Sequence, residues 1–227
     1  MAESYLEVWE KIFSRKEWGE YPPEDLIRFV KRNSKDTLPR ILEIGCGPGA
    51  NLPFLAKHAT LLGGVDFSQT AISLAKQRMA RFSDLNLPII DLRCGDLTVL
   101  PWNDSMFDMV VDIFALYANP TVKIRQALRE VARVLYPGGL MYSKVWSASN
   151  IDFYELGHPE LEKGTFSNSQ VGPCANMGVS HYFESAEIEE LWHDAGFEIM
   201  EIYQMSVRSI YSGFIREEYQ ISARLPT

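Results

Sequence analysis

Apolar positions in the first part of the chain follow a helical period. Between residues 3 and 33 the apolar and aromatic side chains recur at three- and four-residue intervals, which predicts helices, and Pro22-Pro23 interrupts the pattern. Residues 34–39 are polar and end in Pro39. The pattern therefore predicts an N-terminal helical segment over residues 1–37 and a main domain over residues 38–227.

From residue 38 onward the pattern alternates between strands and helices. Short apolar runs predict strands at residues 40–45, 61–67, 89–96, 107–114 and 140–146. Helical spacing follows at residues 51–58, 68–82 and 121–135. Ser68 is a suitable N-cap for the second of these helices, and Pro137-Gly138-Gly139 ends the third. Strands alternating with helices predict an α/β fold with a parallel sheet covered by helices on both faces.

The last third of the chain departs from this alternation. Residues 147–180 show no clear period and are rich in Gly, Ser, Asn and Pro. Such a long irregular stretch is typical of a functional segment, so we expect a substrate-side insertion at about residues 147–184. A helix is predicted from Ser185 to Ala195. The runs at 197–207 and 218–225 have no helix between them, which predicts an antiparallel hairpin at the sheet edge.

Composition narrows the class of protein. The net charge of −8 argues against a nucleic-acid partner, because such binders carry a basic face. The cysteines number 3 and form no CxxC pair, which argues against a disulfide scaffold and a metal site. There is no basic start followed by an apolar run, and no apolar stretch approaches the ~18–20 residues of a membrane span. We therefore expect a cytoplasmic protein, either a monomer or a homodimer.

A glycine-rich turn follows the first predicted strand, in Gly45-Cys46-Gly47-Pro48-Gly49. Glycines allow a tight turn and let a ligand approach the backbone, and the next helix offers free N–H groups. The spacing is GxGxG, whereas a dinucleotide site has GxGxxG; the later position here is Ala50, which some dinucleotide sites accept. The turn alone therefore leaves the kind of nucleotide cofactor open.

Two acidic residues follow the next predicted strands. Asp66 ends the second strand, about 20 residues after Gly45, where a carboxylate can bind two ribose hydroxyls. Asp96 lies in Gly95-Asp96-Leu97 after the third strand, where it can accept from the amine of an adenine. The alternatives are an acid at a helix N-terminus for Asp66 and a turn aspartate for Asp96. Together with the glycine turn, they favour an adenosine-containing cofactor.

These motifs as a set resemble the class I S-adenosylmethionine-dependent methyltransferases of the small-molecule type. The resemblance covers about residues 38–146 and extends to the last strand pair. It is carried by the stretches at residues 43–49, 95–97, 107–111 and 135–139 and by Asp66. It implies a Rossmann-like three-layer sandwich, a seven-stranded mostly parallel sheet with an antiparallel last strand, S-adenosyl-L-methionine as cofactor, and a small-molecule acceptor.

The resemblance also implies a set of cofactor-binding residues. In the methionine half, Gly45, Cys46 and Gly47 are expected to hold the amino acid part, with Glu43 beneath the turn near the amino group. Asp112 or Ile113, at the end of the fourth strand, is expected next to the methionine.

In the adenosine half of the expected site, Asp66 binds the ribose hydroxyls, Phe67 lies against the adenine, and Asp96 and Leu97 bind its edge. One position departs from the family. Where small-molecule members often carry a histidine after the fourth strand, this chain has Ala115-Leu116-Tyr117. The nature of the acceptor is therefore not fixed by the resemblance.

The acceptor is expected beyond the carboxyl ends of the parallel strands, where the segment after the fifth strand arrives. His181 stands there, just before the last predicted helix, and is a candidate general base for a hydroxyl group. The alternative is a hydrogen-bonded loop histidine with no chemical role.

The N-terminal segment carries several aromatic residues, and one interpretation is a lid in which Trp18 and Tyr21 close on the sulfonium side. Trp18-Gly19-Glu20-Tyr21-Pro22 resembles the N-termini of small-molecule methyltransferases. The alternative is a helix packed on the sheet by its aromatic face.

The leading hypothesis is methyl transfer to an oxygen or nitrogen of a small molecule, such as a sugar, a lipid-like compound or a natural product. A rival is an NAD-type nucleotide-dependent oxidoreductase. The glycine spacing opposes it, and so does the lack of a Tyr-x-x-x-Lys motif, since Tyr142 is followed by Lys144. A third hypothesis is a non-catalytic S-adenosylmethionine-binding module. A protein substrate also stays open, because one exposed side chain needs only a shallow groove.

Overall fold

A computed structural model describes residues 5–15, 19–34, 37–82, 88–153 and 160–227 of the chain. Trp18, one of the two expected lid residues, lies outside the described residues. In the described part, no helix has both the length and the apolar character that crossing a membrane requires.

A seven-stranded sheet forms the centre of the domain, in the order β3-β2-β1-β4-β5-β10-β9. Its first five strands run parallel. The last strand, β10, runs antiparallel to both of its neighbours. The expected α/β fold with an antiparallel last strand is therefore confirmed. The strands are β1 (Arg40–Ile44), β2 (Leu61–Asp66), β3 (Ile89–Cys94), β4 (Phe107–Ile113), β5 (Leu135–Trp146), β9 (Glu198–Arg208) and β10 (Ile215–Arg224).

Helices cover both faces of this sheet. Both faces need cover because each carries apolar side chains. In strand β4, Val110 is buried on one face of the sheet, and Met109 and Val111 are buried on the other. This alternation follows from the two-residue period of a strand. Helices α5 and α7 contribute to the first apolar cluster, and α2, α3 and α4 to the second. The helices are α1 (Tyr5–Arg15), α2 (Glu24–Asn33), α3 (Leu52–Ala56), α4 (Gln69–Ala80), α5 (Thr121–Val134), α6 (Ser149–Phe153) and α7 (Ser185–Asp194).

Two features differ from the sequence-based prediction. Strand β5 begins at Leu135 and includes the Pro137-Gly138-Gly139 stretch, whereas the sequence predicted that this stretch ends the preceding helix and that the strand starts at residue 140. Tertiary hydrogen bonds extend the strand, because Gly138 N donates to Leu225 O at 2.8 Å. The stretch predicted to be irregular contains a small antiparallel sheet of β6 (Glu160–Glu162), β7 (Thr165–Ser167) and β8 (Val179–His181). Strands of this length are too short to show a period in sequence.

Candidate functional site

A cavity of about 800 Å³ lies at the carboxyl ends of the parallel strands. It reaches the ends of β1, β2 and β4, and so includes the point between β1 and β4 where the strand order reverses. Ligands of open α/β sheets bind at this position. The expected cofactor residues that line it are Glu43, Gly45, Cys46, Gly47, Asp66, Phe67, Asp96, Leu97 and Ile113.

Both backbone conformation and packing require glycine in the turn after β1. Gly45 and Gly47 have φ angles of 60° and 51°, in the left-handed region that side chains other than glycine rarely adopt. A Cβ atom on Gly45 would lie 2.1 Å from the Cβ atom of Ala115. The loop after β4 therefore packs directly on the turn and brings the ends of β1 and β4 together.

Asp66 fixes the glycine turn to the start of α4. Its Oδ2 accepts a hydrogen bond from Gly47 N at 3.0 Å, and its Oδ1 accepts one from Ser68 N at 2.9 Å. Burial raises the pKa of Asp66 to about 6, against the effect of these two backbone donors. Each carboxylate oxygen retains a second lone pair, so the side chain can still accept from a ligand in the cavity.

Glu43 has an unsatisfied acceptor atom at the cavity. Its Oε1 accepts from Asn51 Nδ2 at 2.6 Å, whereas its buried Oε2 has no hydrogen-bond partner among the described residues. Burial raises the pKa of Glu43 to about 8, and the nearby Asp112 and Asp66 add to the effect. A buried acceptor without a donor is costly, and a cationic ligand group would satisfy it.

Asp112 and Ile113 have different surroundings. Ile113 lines the cavity, whereas the carboxylate of Asp112 is fully buried and bound on both oxygens. Oδ1 of Asp112 accepts from Ala115 N at 2.8 Å and from Leu116 N at 3.2 Å, and Oδ2 accepts from Ser143 Oγ. The expectation that Asp112 borders the ligand is thus corrected: its acceptors are used to hold the loop after β4.

That loop contains Phe114, whose φ of 58° is unfavourable for a residue with a side chain. Strained backbone persists only where the surroundings enforce it, and it is common at functional sites. Here Phe114 N donates to Lys144 O at 3.1 Å, and Asp112 holds the next two residues. The result is that the Phe114 ring lies in the cavity wall.

Asp96 lines the cavity at the position expected for the adenosine. Burial opposes its ionisation, but hydrogen bonds from Thr98 N and Thr98 Oγ1, both 2.8 Å, lower its pKa, with Lys123 contributing from 3.9 Å. The carboxylate is therefore ionised and already fixed within its own turn. Leu97 and Phe67 add apolar surface beside it.

The other half of the cavity has an aromatic wall that the sequence did not reveal. The rings of Phe114 and Trp146 stack with centroids 4.2 Å apart, and Tyr117 meets Trp146 edge-on at 6.2 Å. Pro173 and Met177, from the segment after β5, complete this wall. These residues come from three separate stretches of the chain and form no sequence motif, so no local signal could have grouped them.

Charged residues border the aromatic wall. Lys144 is buried, and its Nζ lies 2.6 Å from Glu218 Oε1 and 3.2 Å from Asp25 Oδ1. Tyr142 Oη also donates to Asp25, on α2. Lys144 and Glu218 line the cavity, as does the exposed Arg216.

His181 lies outside the cavity lining, which corrects its expected position as a general base. Its ring is fully buried at the end of β8. Nδ1 lies 2.7 Å from Thr165 Oγ1, and Nε2 lies 3.1 Å from Glu187 Oε1. A general base must come within ~2.6–3.2 Å of the proton that it takes, directly or through one water. The hydrogen bond with Thr165 matches the alternative interpretation, a hydrogen-bonded histidine with no chemical role.

Helix α1 lies across the half of the cavity that is formed by the glycine turn, Asp66 and Asp96, which we call the cofactor half. Trp9 and Phe13 line the cavity with ring centroids 5.4 Å apart. The Phe13 ring is close to the glycine turn, since a Cβ atom on Gly47 would lie 3.6 Å from it. Tyr21 also lines the cavity but is 84% exposed. The aromatic face of α1 therefore contributes more to the enclosure than the expected lid residue Tyr21.

Comparison with known proteins agrees with this geometry. Residues 41–139 match the family model described as a methyltransferase domain. The chain therefore contains a class I S-adenosylmethionine-dependent methyltransferase domain. The matched region contains the glycine turn, Asp66 and Asp96, which are the residues that line the cofactor half of the cavity.

Two curated relatives share parts of the chain. An uncharacterised 37.1 kDa protein of a Streptomyces fradiae transposon is 35% identical over 165 residues, covering 70% of this chain and 43% of that protein. Phthiotriol/phenolphthiotriol dimycocerosates methyltransferase of Mycobacterium tuberculosis is 36% identical over 102 residues, covering 44% of this chain and 35% of that protein. The chain thus spans less than half the length of either relative.

Among solved structures, the fold is similar to that of the N-methyltransferase NodS from Bradyrhizobium japonicum, determined in complex with S-adenosyl-L-homocysteine. The TM-score is 0.70 at 18% identity, and the match covers 99% of this chain and 100% of that chain. At this identity the likeness concerns the fold.

Proposed function

We propose that this protein transfers a methyl group from S-adenosyl-L-methionine to a nitrogen or oxygen of a small molecule. The observation that carries the proposal is one continuous cavity with two chemically different halves. One half is formed by the glycine turn and acidic strand ends, and the other by an aromatic wall with an ion pair. Its volume of about 800 Å³ lies within the range of small-molecule sites.

The residues of the first half fit the cofactor. The unsatisfied Oε2 of Glu43 would accept from its ammonium group, beside the open backbone of Gly45 and Gly47. Asp66 would accept from the ribose hydroxyls, because backbone donors already fix the orientation of its carboxylate. Asp96, with Leu97, would bind the adenine edge. The cofactor itself supplies the activated methyl group, on a sulfonium.

The protein then has to align the acceptor and exclude water. The Trp9 and Phe13 rings on α1 cover the cofactor half, which is why we retain residues 1–37 as a lid. Pro173 and Met177 close the acceptor half, so residues 147–184 serve as the substrate-side insertion. Phe114 lies in the cavity wall next to the glycine turn, between the two halves. The methyl group would pass from the cofactor to the acceptor beside this residue.

Calorimetry on the wild-type protein tests the proposal. We expect binding of both S-adenosylmethionine and S-adenosylhomocysteine, and release of S-adenosylhomocysteine when a suitable acceptor is added. Tight binding of NADH without any binding of S-adenosylmethionine would instead identify the oxidoreductase. Binding of S-adenosylmethionine without turnover against a broad set of acceptors would identify the non-catalytic module.

A further inference from the structure

The acceptor half of the cavity contains a buried ionic cluster formed by Asp25, Lys144 and Glu218. Lys144 is buried and lies within ion-pair distance of both carboxylates. Two carboxylates and one ammonium give this cluster a formal charge of −1, and the hydroxyl of Tyr142 adds a neutral donor to Asp25. The positive charge of Lys144 is therefore more than balanced within the cavity wall.

Glu218 retains hydrogen-bonding capacity. Its Oε1 accepts from Lys144 Nζ at 2.6 Å and lies 3.3 Å from Gln220 Nε2. The contacts recorded for this carboxylate among the described residues thus go through Oε1. The side chain is 7% exposed and lines the cavity. A carboxylate oxygen at a cavity wall can accept from a donor or attract a cation of a ligand.

Contacts connect Glu218 to the cofactor half. Across the β5–β10 ladder Glu218 pairs with Trp146, whose ring stacks on Phe114. The ammonium of Lys144 lies 5.5 Å from the centre of the Phe114 ring. Phe114 precedes Ala115, which packs on Gly45. A ligand group bound by Glu218 would therefore lie against the same aromatic wall that borders the expected path of the methyl group.

We propose that the acceptor is an amine attached to an apolar or aromatic skeleton, and that Glu218 binds its reacting nitrogen. This inference rests on the methyltransferase function proposed above. The rings of Phe114, Trp146 and Tyr117 suit such an acceptor, because aromatic faces attract cations and pack on apolar groups.

The transfer step balances without a general base. The lone pair of the neutral amine forms the new nitrogen–carbon bond, and the carbon–sulfur bond breaks with its electrons passing to sulfur. The positive charge thus moves from the sulfonium to the methylated nitrogen, which leaves as an ammonium. A carboxylate next to that nitrogen stabilises the charge as it develops. An alcohol would also have to lose its proton, and the described cavity lining contains no histidine to take it.

Arg216 is the neighbouring group of opposite charge. It lies two positions before Glu218 on β10, and therefore on the same face of the strand, but its side chain is exposed. If Arg216 rather than Glu218 selected the acceptor, the preferred compounds would be anionic. This difference makes the two residues distinguishable by substrate preference.

Matched acceptors test the proposal, with release of S-adenosylhomocysteine as the readout. We would compare tryptamine with tryptophol and phenethylamine with phenylacetate, and measure their binding to the S-adenosylhomocysteine complex by calorimetry. The amines should bind and be methylated in preference to the alcohol and the acid. Turnover of the amines should rise with pH as they lose their own proton.

The variant Glu218→Gln should lower kcat/KM for the amines by ~10–100-fold, because it removes the stabilising charge while keeping the size of the side chain. Lys144 keeps Asp25 as a partner, so the variant is expected to fold. Its affinity for S-adenosylmethionine should be unchanged. Glu217→Gln is the matched control: Glu217 lies outside the cavity lining and contacts Gln204, so its activity should equal that of the wild type.

Several results would overturn the amine proposal while leaving cofactor binding intact. These are preferential binding or methylation of tryptophol or phenylacetate, equal activity of the Glu218→Gln and Glu217→Gln variants, and no binding of either amine to the S-adenosylhomocysteine complex. A failure of the wild-type protein to bind S-adenosylmethionine would instead overturn the methyltransferase function itself.

Discussion

At the scale of single residues, the carboxylate of Asp66 holds the glycine turn and also faces the proposed cofactor site. It accepts from Gly47 N and Ser68 N, and it lines the cavity. We predict that Asp66→Ala lowers the affinity for S-adenosylhomocysteine by at least ~100-fold, because hydrogen bonds to a charged group contribute about 1.5–3 kcal/mol each. Calorimetry gives the affinity directly.

The control for Asp66→Ala is Asp104→Ala, which removes an exposed carboxylate that pairs with Arg133 and lies outside the cavity lining. This variant should bind S-adenosylhomocysteine as the wild type does. Equal affinities for Asp66→Ala and Asp104→Ala would contradict the ribose assignment.

Glu43 gives a prediction about pH. Burial raises its pKa from 4.5 to about 8, so the folded protein without cofactor holds this proton more tightly than the unfolded chain does. Its contribution to stability is therefore most favourable below pH 4.5 and becomes unfavourable as the pH rises toward 8. Glu43→Gln should raise the melting temperature of the cofactor-free protein at pH 8, with the gain disappearing near pH 4.5.

The same group should control cofactor affinity. An ammonium favours the ionised carboxylate, so binding below pH 8 requires Glu43 to release a proton. The affinity of the wild type should rise between pH 6 and 8, by up to ~tenfold per pH unit. Calorimetry should show weaker binding and a flatter pH profile for Glu43→Gln. An identical pH profile for the two proteins would contradict the role of Glu43.

At the scale of elements, the loop after β4 decides how the two halves of the cavity meet. Asp112 accepts from the N–H groups of Ala115 and Leu116 and so holds Phe114 in its left-handed conformation. Asp112→Ala would leave both donors without their acceptor, and we predict a loss of about 3 kcal/mol in the free energy of unfolding. Urea denaturation measures this loss.

Asp112→Asn is the informative companion to that variant, because its amide oxygen can still accept from the two backbone donors. It should keep most of the stability that Asp112→Ala loses. If the two variants were equally stable, the carboxylate would not be what holds the loop.

At the scale of the whole molecule, the N-terminal helices connect to both halves of the cavity. Trp9 and Phe13 of α1 lie over the cofactor half, and Asp25 of α2 reaches Lys144 in the acceptor half. We predict that S-adenosylhomocysteine slows amide hydrogen exchange in residues 5–15, because a lid is ordered by the ligand that it covers. Exchange in α5, away from the cavity, should change little. If hydrogen exchange in α1 did not change, α1 would be a helix packed on the sheet and not a lid.

Much of the molecule was predictable because its signals are local. Strand and helix periods, the cap at Ser68 and the glycine spacing depend on neighbouring residues, so the α/β fold and the residues of the cofactor half follow from short stretches of chain. The carboxyl ends of parallel strands meet at one edge of the sheet, which is why Glu43, Asp66 and Asp96 all reach the cavity. The sequence did not reveal that Asp112 and His181 lie outside the cavity lining, because position along a strand does not show which hydrogen bonds a side chain makes.

The sequence by itself determined the fold class, the family and the residues around the glycine turn. Only the tertiary structure decided what the acceptor half contains. Lys144 and Asp25 are 119 residues apart in sequence, and Glu218 joins them through an antiparallel strand pair. The physical reason is that contacts between distant elements bring the buried charges and rings of this half together. Such contacts follow no period or spacing along the chain.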